Sequence, residues 1–229
     1  YVRHKAINTA ISEERMFPFY GSLSEEGKKL LSASVCERTF MRGEEVSRGE
    51  CTGLLLVRSG RLRAYTMSAE GREITLYRLG KGDVCLFSAS CALHGMQADI
   101  FVRAEEETRV LLLPAEVYRT LSEKELAAAA FTGEMTARRL SEVLWVLDEV
   151  LNKKFDARLA ALLLEEAAYA GSDSIHTTHE KLAAHLGTVR EAVSRMLRYF
   201  EEEGLVFLSR GGIRIEDRAE LERLSAERK

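Results

Sequence analysis

The sequence predicts an α+β chain with an N-terminal jelly-roll-like β-roll, one long helix and a C-terminal winged helix-turn-helix. Three observations predict it. Short apolar runs broken by glycine fill the first half, helical spacing without proline follows Pro114, and two short capped helices around Gly187 lead into a Gly-Gly hairpin. These divide the chain into a β-roll over 1–114, a long helix over 115–152 and a helix-turn-helix domain over 153–229.

The first elements are short. Ser24-Glu25-Glu26 opens a helix whose apolar face is Leu30, Leu31 and Val35. Gly53 to Val57, Leu62 to Tyr65 and Ile74 to Leu79 read as strands, separated by Ser59-Gly60, Ala69 to Arg72 and Gly80 to Asp83. Val110 to Leu113 reads as a buried strand that Pro114 ends. From Ala115 to Leu151 there is no proline and a single glycine, Gly133. Leu140, Val143, Leu144, Leu147, Val150 and Leu151 fall at three- and four-residue spacing on one helix face. Pairing with a second copy of the chain is the economical way to cover such a face, so these six residues are the expected homodimer interface. Packing within one chain is the alternative.

Asn152-Lys153-Lys154 breaks the pattern, and Phe155 to Tyr169 is a further amphipathic helix. Thr177 with Glu180 fits a capping box, and so does Thr188 with Glu191. Leu182, Ala183 and Leu186 form the stripe of the first helix, and Val193, Met196, Leu197 and Phe200 that of the second. Gly187 turns the chain between them, which makes a helix-turn-helix. The second helix leaves Arg190, Glu191, Ser194, Arg195 and Arg198 off its apolar face. Arginine can bond guanine O6 and N7 together, and glutamate can accept from cytosine N4, which suits a major-groove helix. Glu191 can equally serve its own cap or orient Arg195 four residues on. Leu205 to Leu208 and Ile213 to Ile215 around Gly211-Gly212 form a hairpin, read as a wing with Arg210 and Arg214 available to phosphates. Arg218 to Lys229 reads as a charged terminal helix.

At 46% apolar and 30% charged residues, the 229-residue composition suits a globular chain with a real core. Tyr1 to Arg15 lacks the apolar segment of a secretion signal, and no apolar run is long enough for a bilayer. A cytoplasmic protein with no membrane partner is expected. The net charge of −3 excludes a globally basic nucleic-acid coat but not a local basic patch. Cysteines at 36, 51, 85 and 91 form no CxxC, so a disulfide scaffold is not expected.

The run Arg190-Glu191-x-x-Ser194-Arg195 resembles the recognition helix of the Crp/Fnr family of bacterial transcription regulators. Gly60, Gly71, Gly80 and Gly82, with Glu70-Gly71-Arg72-Glu73, resemble that family's β-roll, which is related to cyclic-nucleotide-binding domains. The resemblance covers nearly the whole chain. It implies a non-enzymatic, homodimeric regulator that binds a palindromic operator in double-stranded DNA and leaves RNA polymerase open as a further partner. The expected DNA contacts are Thr178, Thr188, Arg190, Glu191, Ser194, Arg195, Arg198 and Arg210.

The expected effector is unidentified. Cyclic-nucleotide binders of this kind offer a Glu to the ribose and an Arg to the phosphate. Here Ser88 holds the Glu position and Ala98 the Arg position, with Asp99 beside it, so cAMP and cGMP are not expected to bind in the usual way. An iron–sulfur cluster is not expected either, since Tyr1 to Val35 contains no cysteine. Cys85, Ser88, Cys91, His94 and Met96 are the candidate effector or redox residues, able to hold haem or a soft metal or to form a disulfide. The simpler reading makes Cys85 and Cys91 small buried core residues. His176, His179 and His185 make a weak metal set, and no metal site is assigned. Two other functions remain as alternatives. A nucleotide-sensing module acting through protein contacts would not need the exposed Arg190, Glu191 and Arg195. A jelly-roll metalloenzyme needs a His and carboxylate cluster, and the β-rich region has His94 alone.

Overall fold

A computed structural model describes residues 17–48, 52–69, 71–86 and 100–227. Helix α1 spans Glu25–Ser34. The Ser24 hydroxyl caps it by accepting from the Gly27 N–H at 3.1 Å, and Glu25 and Glu26 sit where the helix dipole favours negative charge. Leu31 is fully buried, but Leu30, expected on the same face, is exposed. Adjacent helical residues diverge by about 100°, so one of the pair must turn outward.

Eight strands follow among the described residues: β1 Cys36–Phe40, β2 Glu45–Arg48, β3 Gly53–Ser59, β4 Leu62–Met67, β5 Glu73–Leu79, β6 Val84–Cys85, β7 Phe101–Ala104 and β8 Thr108–Pro114. They form two four-stranded sheets, ordered β1-β8-β3-β6 and β2-β7-β4-β5. Leu55, Val57, Leu62, Ala64, Leu79 and Val102 are buried together in one apolar cluster. The alternate residues of β3 and β8, Leu54, Leu56, Leu111 and Leu113, join a second cluster with Phe17, Leu31 and Tyr118. Both faces of β3 and β8 are therefore buried, which is why they read as unbroken apolar runs.

Gly60 turns the chain between β3 and β4 with φ +85°, and a Cβ there would lie 2.4 Å from the Glu107 carbonyl oxygen. Gly60→Ala is expected to lower the unfolding free energy by about 2 kcal/mol, from the left-handed backbone and the backbone clash together. Urea unfolding followed by circular dichroism checks this, and an unchanged midpoint would contradict it.

The helix expected over 115–151 is two helices. Helix α2 spans Ala115–Lys124 and α3 spans Leu126–Asn152. Glu125 between them leaves helical geometry at φ −115°, ψ 115°. Its carboxylate accepts from the Ser24 N–H at 3.1 Å and from the Ser24 hydroxyl, bonds that hold its carboxyl below the usual carboxylate range. A residue that would have continued the helix instead braces the start of α1.

Among the described residues the chain forms two compact units, divided within α3 between Glu142 and Val143. The second unit also takes in Met67–Thr75, where Ile74 bridges to Leu186. Its helices are α4 Phe155–Ala170, α5 His179–Leu186, α6 Arg190–Glu202 and α7 Arg218–Ser225. Its strands β9 Ser174–Ile175, β10 Val206–Ser209 and β11 Gly212–Ile215 form a sheet ordered β10-β11-β9. The two-residue β9 pairs with β11 through Ile175 opposite Ile213 and Ser174 opposite Arg214. Leu159, Leu163, Leu182, Val193, Leu197 and Phe200 lie at the core of this unit. No helix among the described residues is long and apolar enough to cross a membrane.

Candidate nucleic-acid interface

Helix α5 begins one residue later than its capping pattern suggests. Thr178, at φ −113°, ψ 155°, is the cap, and its hydroxyl accepts from the Lys181 N–H at 3.3 Å. Thr177 is buried and does not cap. Gly187 ends α5 at φ +66°, a conformation that favours glycine. The Thr188 N–H then donates to the Ala183 carbonyl at 3.0 Å, so Thr188 closes α5 rather than opening α6. The expected Thr188–Glu191 capping box does not form. Val189 is the cap residue of α6 and supplies no side-chain bond.

Helix α6 buries Val193, Leu197 and Phe200, with Met196 half-buried. Arg190, Glu191, Arg195 and Arg198 are exposed, and Ser194 is half-buried. Two contacts tie this surface to α5. Arg190 Nη1 lies 3.0 Å from Glu180 Oε1, and His179 Nδ1 lies 2.8 Å from Ser194 Oγ. The Glu180 carboxyl is held below the ordinary carboxylate range, first by its own backbone N–H and then by Arg190. The expected Glu191–Arg195 pair is not among the ion pairs of the described residues; Arg190 is the paired arginine, and its partner is on the other helix. His179, one of the weak metal set in the sequence, instead meets Ser194. The bond to Ser194 joins residues fifteen apart on different helices, which helical spacing alone does not reveal.

The wing is a tight hairpin in which Ser209 pairs with Gly212. Gly211, at φ +81°, completes the two-residue loop, and Arg210 projects from it exposed. Arg214, expected to be available with Arg210, lies 5.0 Å from the centroid of the exposed Phe207 ring and pairs with Glu216. Its charge is already partnered. Arg195, Arg198 and Arg210 make no ion pair among the described residues, so they are the guanidiniums left open to a polyanion.

The expected pairing face of α3 is uncovered. Leu140, Leu144, Leu147 and Leu151 are 59%, 55%, 50% and 67% exposed, with Val143 and Val150 half-buried beside them. Trp145 is also exposed; it lies just off the stripe, and pattern reading passed over it.

In the first unit, Cys85 is wholly buried in β6, opposite Leu55. Burial pushes the neighbouring Tyr77 phenol well up, and Cys85 adds to this. The other candidate effector residues, Ser88, Cys91, His94 and Met96, lie outside the described residues. Arg139, which sequence reasoning missed, is buried to 3% exposure. Its Nη2 donates to the Val84 carbonyl at 2.9 Å, Nη1 pairs with Glu142, and the guanidinium lies 4.3 Å from the Tyr77 ring centroid. The available signal was its place one turn after the buried Met135. No group of three or more metal-ligating side chains occurs among the described residues.

Residues 157–224 match the family model described as a Crp-like helix-turn-helix domain, and residues 37–125 match that of a cyclic nucleotide-binding domain. The chain is 30% identical over 210 residues to the cyclic AMP receptor protein of Thermus thermophilus, covering 91% of this chain and 96% of that protein. It is 25% identical over 199 residues to the fumarate and nitrate reduction regulatory protein of Vibrio cholerae, covering 82% and 78% of the two chains. A crystal structure from Eubacterium rectale, of a protein assigned to the crp/fnr family of transcriptional regulators, matches with a TM-score of 0.90 at 43% identity. That match covers 92% of this chain and 99% of the other.

Proposed function

Because the chain belongs to the Crp/Fnr family of transcription regulators, we propose that it works as a homodimer reading a palindromic operator through two copies of α6. The observation that carries this reading is the exposed guanidinium of Arg195, beside Glu191, Ser194 and Arg190 on one helix face. Arg190 and Arg195 are assigned to guanine, Glu191 to cytosine N4 and Ser194 to a base edge. Thr178, Thr188, Arg198 and Arg210 are assigned to phosphates, which fix register without reading sequence. The leucines of α3 with Val143 and Val150 form the dimer seam. The functional division places the β-roll over 1–114, the dimer helix over 115–152 and the DNA-binding domain over 153–229. RNA polymerase is the further partner that an activator of this design would engage.

The β-roll receives the signal. An effector there changes how the roll packs on α3 and brings the two recognition helices to the roughly 34 Å spacing of successive major grooves. The match to a cyclic nucleotide-binding domain assigns this region a fold, not a ligand. Ser88 and Ala98 stand where the ribose and phosphate partners are expected, so calorimetric titration with cAMP or cGMP should give no micromolar binding. Micromolar affinity would overturn that expectation.

Fluorescence anisotropy on a TGTGA- or TTGA-containing palindromic duplex tests the DNA-reading role. A lost base contact costs about 1–3 kcal/mol per half-site. Arg195→Ala should therefore weaken operator binding by about 30-fold or more for the dimer. Binding to a scrambled duplex should fall much less. Equal loss on both duplexes would move Arg195 from base to phosphate.

A further inference from the structure

We propose that His179 is a positioning residue for Ser194, and that its proton decides whether Ser194 can offer the operator a hydrogen-bond donor or only acceptors. The inference rests on the DNA-reading role of α6 proposed above. His179 is the first residue of α5, and Ser194 lies in the second turn of α6, among the exposed Arg190, Glu191 and Arg195. The 2.8 Å Nδ1···Oγ separation is a full hydrogen bond. It is not needed to hold the two helices together, because Leu182, Leu186, Val193 and Leu197 share the core of this unit.

A serine hydroxyl has one proton and two lone pairs. When the His179 ring is neutral with its proton on Nε2, the Ser194 hydroxyl donates a hydrogen bond to Nδ1. Only lone pairs then remain to face the groove, and they accept from adenine N6 or cytosine N4. When the ring is protonated, Nδ1–H donates to Ser194 Oγ. The hydroxyl proton is then free to reach thymine O4 or guanine O6, with one lone pair left over, so these accepting bases gain relative to adenine and cytosine. Histidine is the side-chain type whose charge changes nearest neutral pH, which sets the pH range of the test.

The charged and titratable groups on the elements packed around His179 can be named. Helix α5 carries Glu180, Lys181 and His185, and α6 carries Arg190, Glu191, Arg195, Arg198, Tyr199, Glu201 and Glu202. Helix α4 carries Asp156, Arg158, Glu165, Glu166 and Tyr169, of which Arg158 bonds the Leu186 carbonyl at the far end of α5. Thr75 bonds His185, one turn or more from His179. Arg190 already pairs with Glu180, the carboxylate next to His179 in sequence.

The test uses the full chain and selection from a randomised duplex pool at pH 5.5 and pH 8.0. The wild type should show one symmetric position per half-site that prefers T or G at low pH and A or C at high pH. The relative preference should change by roughly five- to tenfold. His179→Gln should keep the other positions and lose the pH dependence at this one. Ser194→Ala should lose preference there at both pH values. Identical selected sites at the two pH values, or a shift that survives in His179→Gln, would overturn the inference and leave DNA reading intact. If no sequence is enriched at either pH, DNA reading by α6 falls and this inference with it. A measurement without DNA guards against a variant that misfolds. The ring nitrogens of His179, followed by long-range nitrogen–proton correlation, should shift in Ser194→Ala relative to wild type. An unchanged ring spectrum would also overturn the inference.

Discussion

Replacing Leu144 and Leu147 together by glutamate should convert the protein from a dimer to a 25.7 kDa monomer by light scattering at micromolar concentration. Operator binding should weaken by at least about a hundredfold. Leu140, Leu144, Leu147 and Leu151 recur at alternating spacings of four and three residues, the repeat of a two-helix seam. Each remains half exposed or more in the single chain, so each retains roughly 1 kcal/mol of burial to gain from a partner. A symmetric dimer presents both leucines twice, so the double substitution removes roughly 4 kcal/mol of apolar burial. Four carboxylates brought together on the seam add repulsion and desolvation. A monomer engages one half-site and forfeits the contacts of the other. A double variant that stays dimeric would show that this face is covered by something other than a second copy.

This prediction draws on a pattern that the sequence displays openly, and the reason is physical. A helix stripe needs no knowledge of its partner to be seen, because its period is local. The same holds for the buried runs of β3 and β8, for the Ser24 cap and for the Gly187 and Gly211 turns. Features set by distant partners were not legible. Glu125 breaks a helix of high local propensity because Ser24, 101 residues earlier, offers its carboxylate two donors. The Thr177–Glu180 spacing pointed to Thr177 as the cap of α5, and the backbone turn selects Thr178 instead. Thr188 looked like a cap because its spacing to Glu191 fits, but closing a short turn after Gly187 takes its N–H first. Arg190 could have been assigned to solvent or to DNA from the sequence; its link to Glu180 depends on how α5 and α6 cross.

Arg139→Met should lower the unfolding free energy by about 3 kcal/mol and change operator affinity by fivefold or more. The first figure follows from three contacts. A charged hydrogen bond to the Val84 carbonyl contributes about 1.5–3 kcal/mol, and a desolvated cation over the Tyr77 ring contributes up to about 2. The Glu142 side chain is 30% exposed, so its pairing adds little. Methionine keeps most of the buried volume, which limits the cavity cost and isolates the polar loss. The second figure follows from where Arg139 sits. It fastens α3 to β6, and the segment that carries Ser88, Cys91, His94 and Met96 follows directly in sequence. The next residue along α3 is Leu140, the start of the proposed dimer seam. If the proposed effector segment acts by displacing Val84, that displacement strains the Arg139 bond to its carbonyl, so Arg139→Met tests a connection between the β-roll and α3. Coupling between sites in such two-state proteins is commonly worth five- to 150-fold in affinity. Thermal unfolding and anisotropy on the same preparation separate the two effects. A variant that loses stability but binds its operator like wild type would leave Arg139 a packing residue and require another connection between the β-roll and DNA.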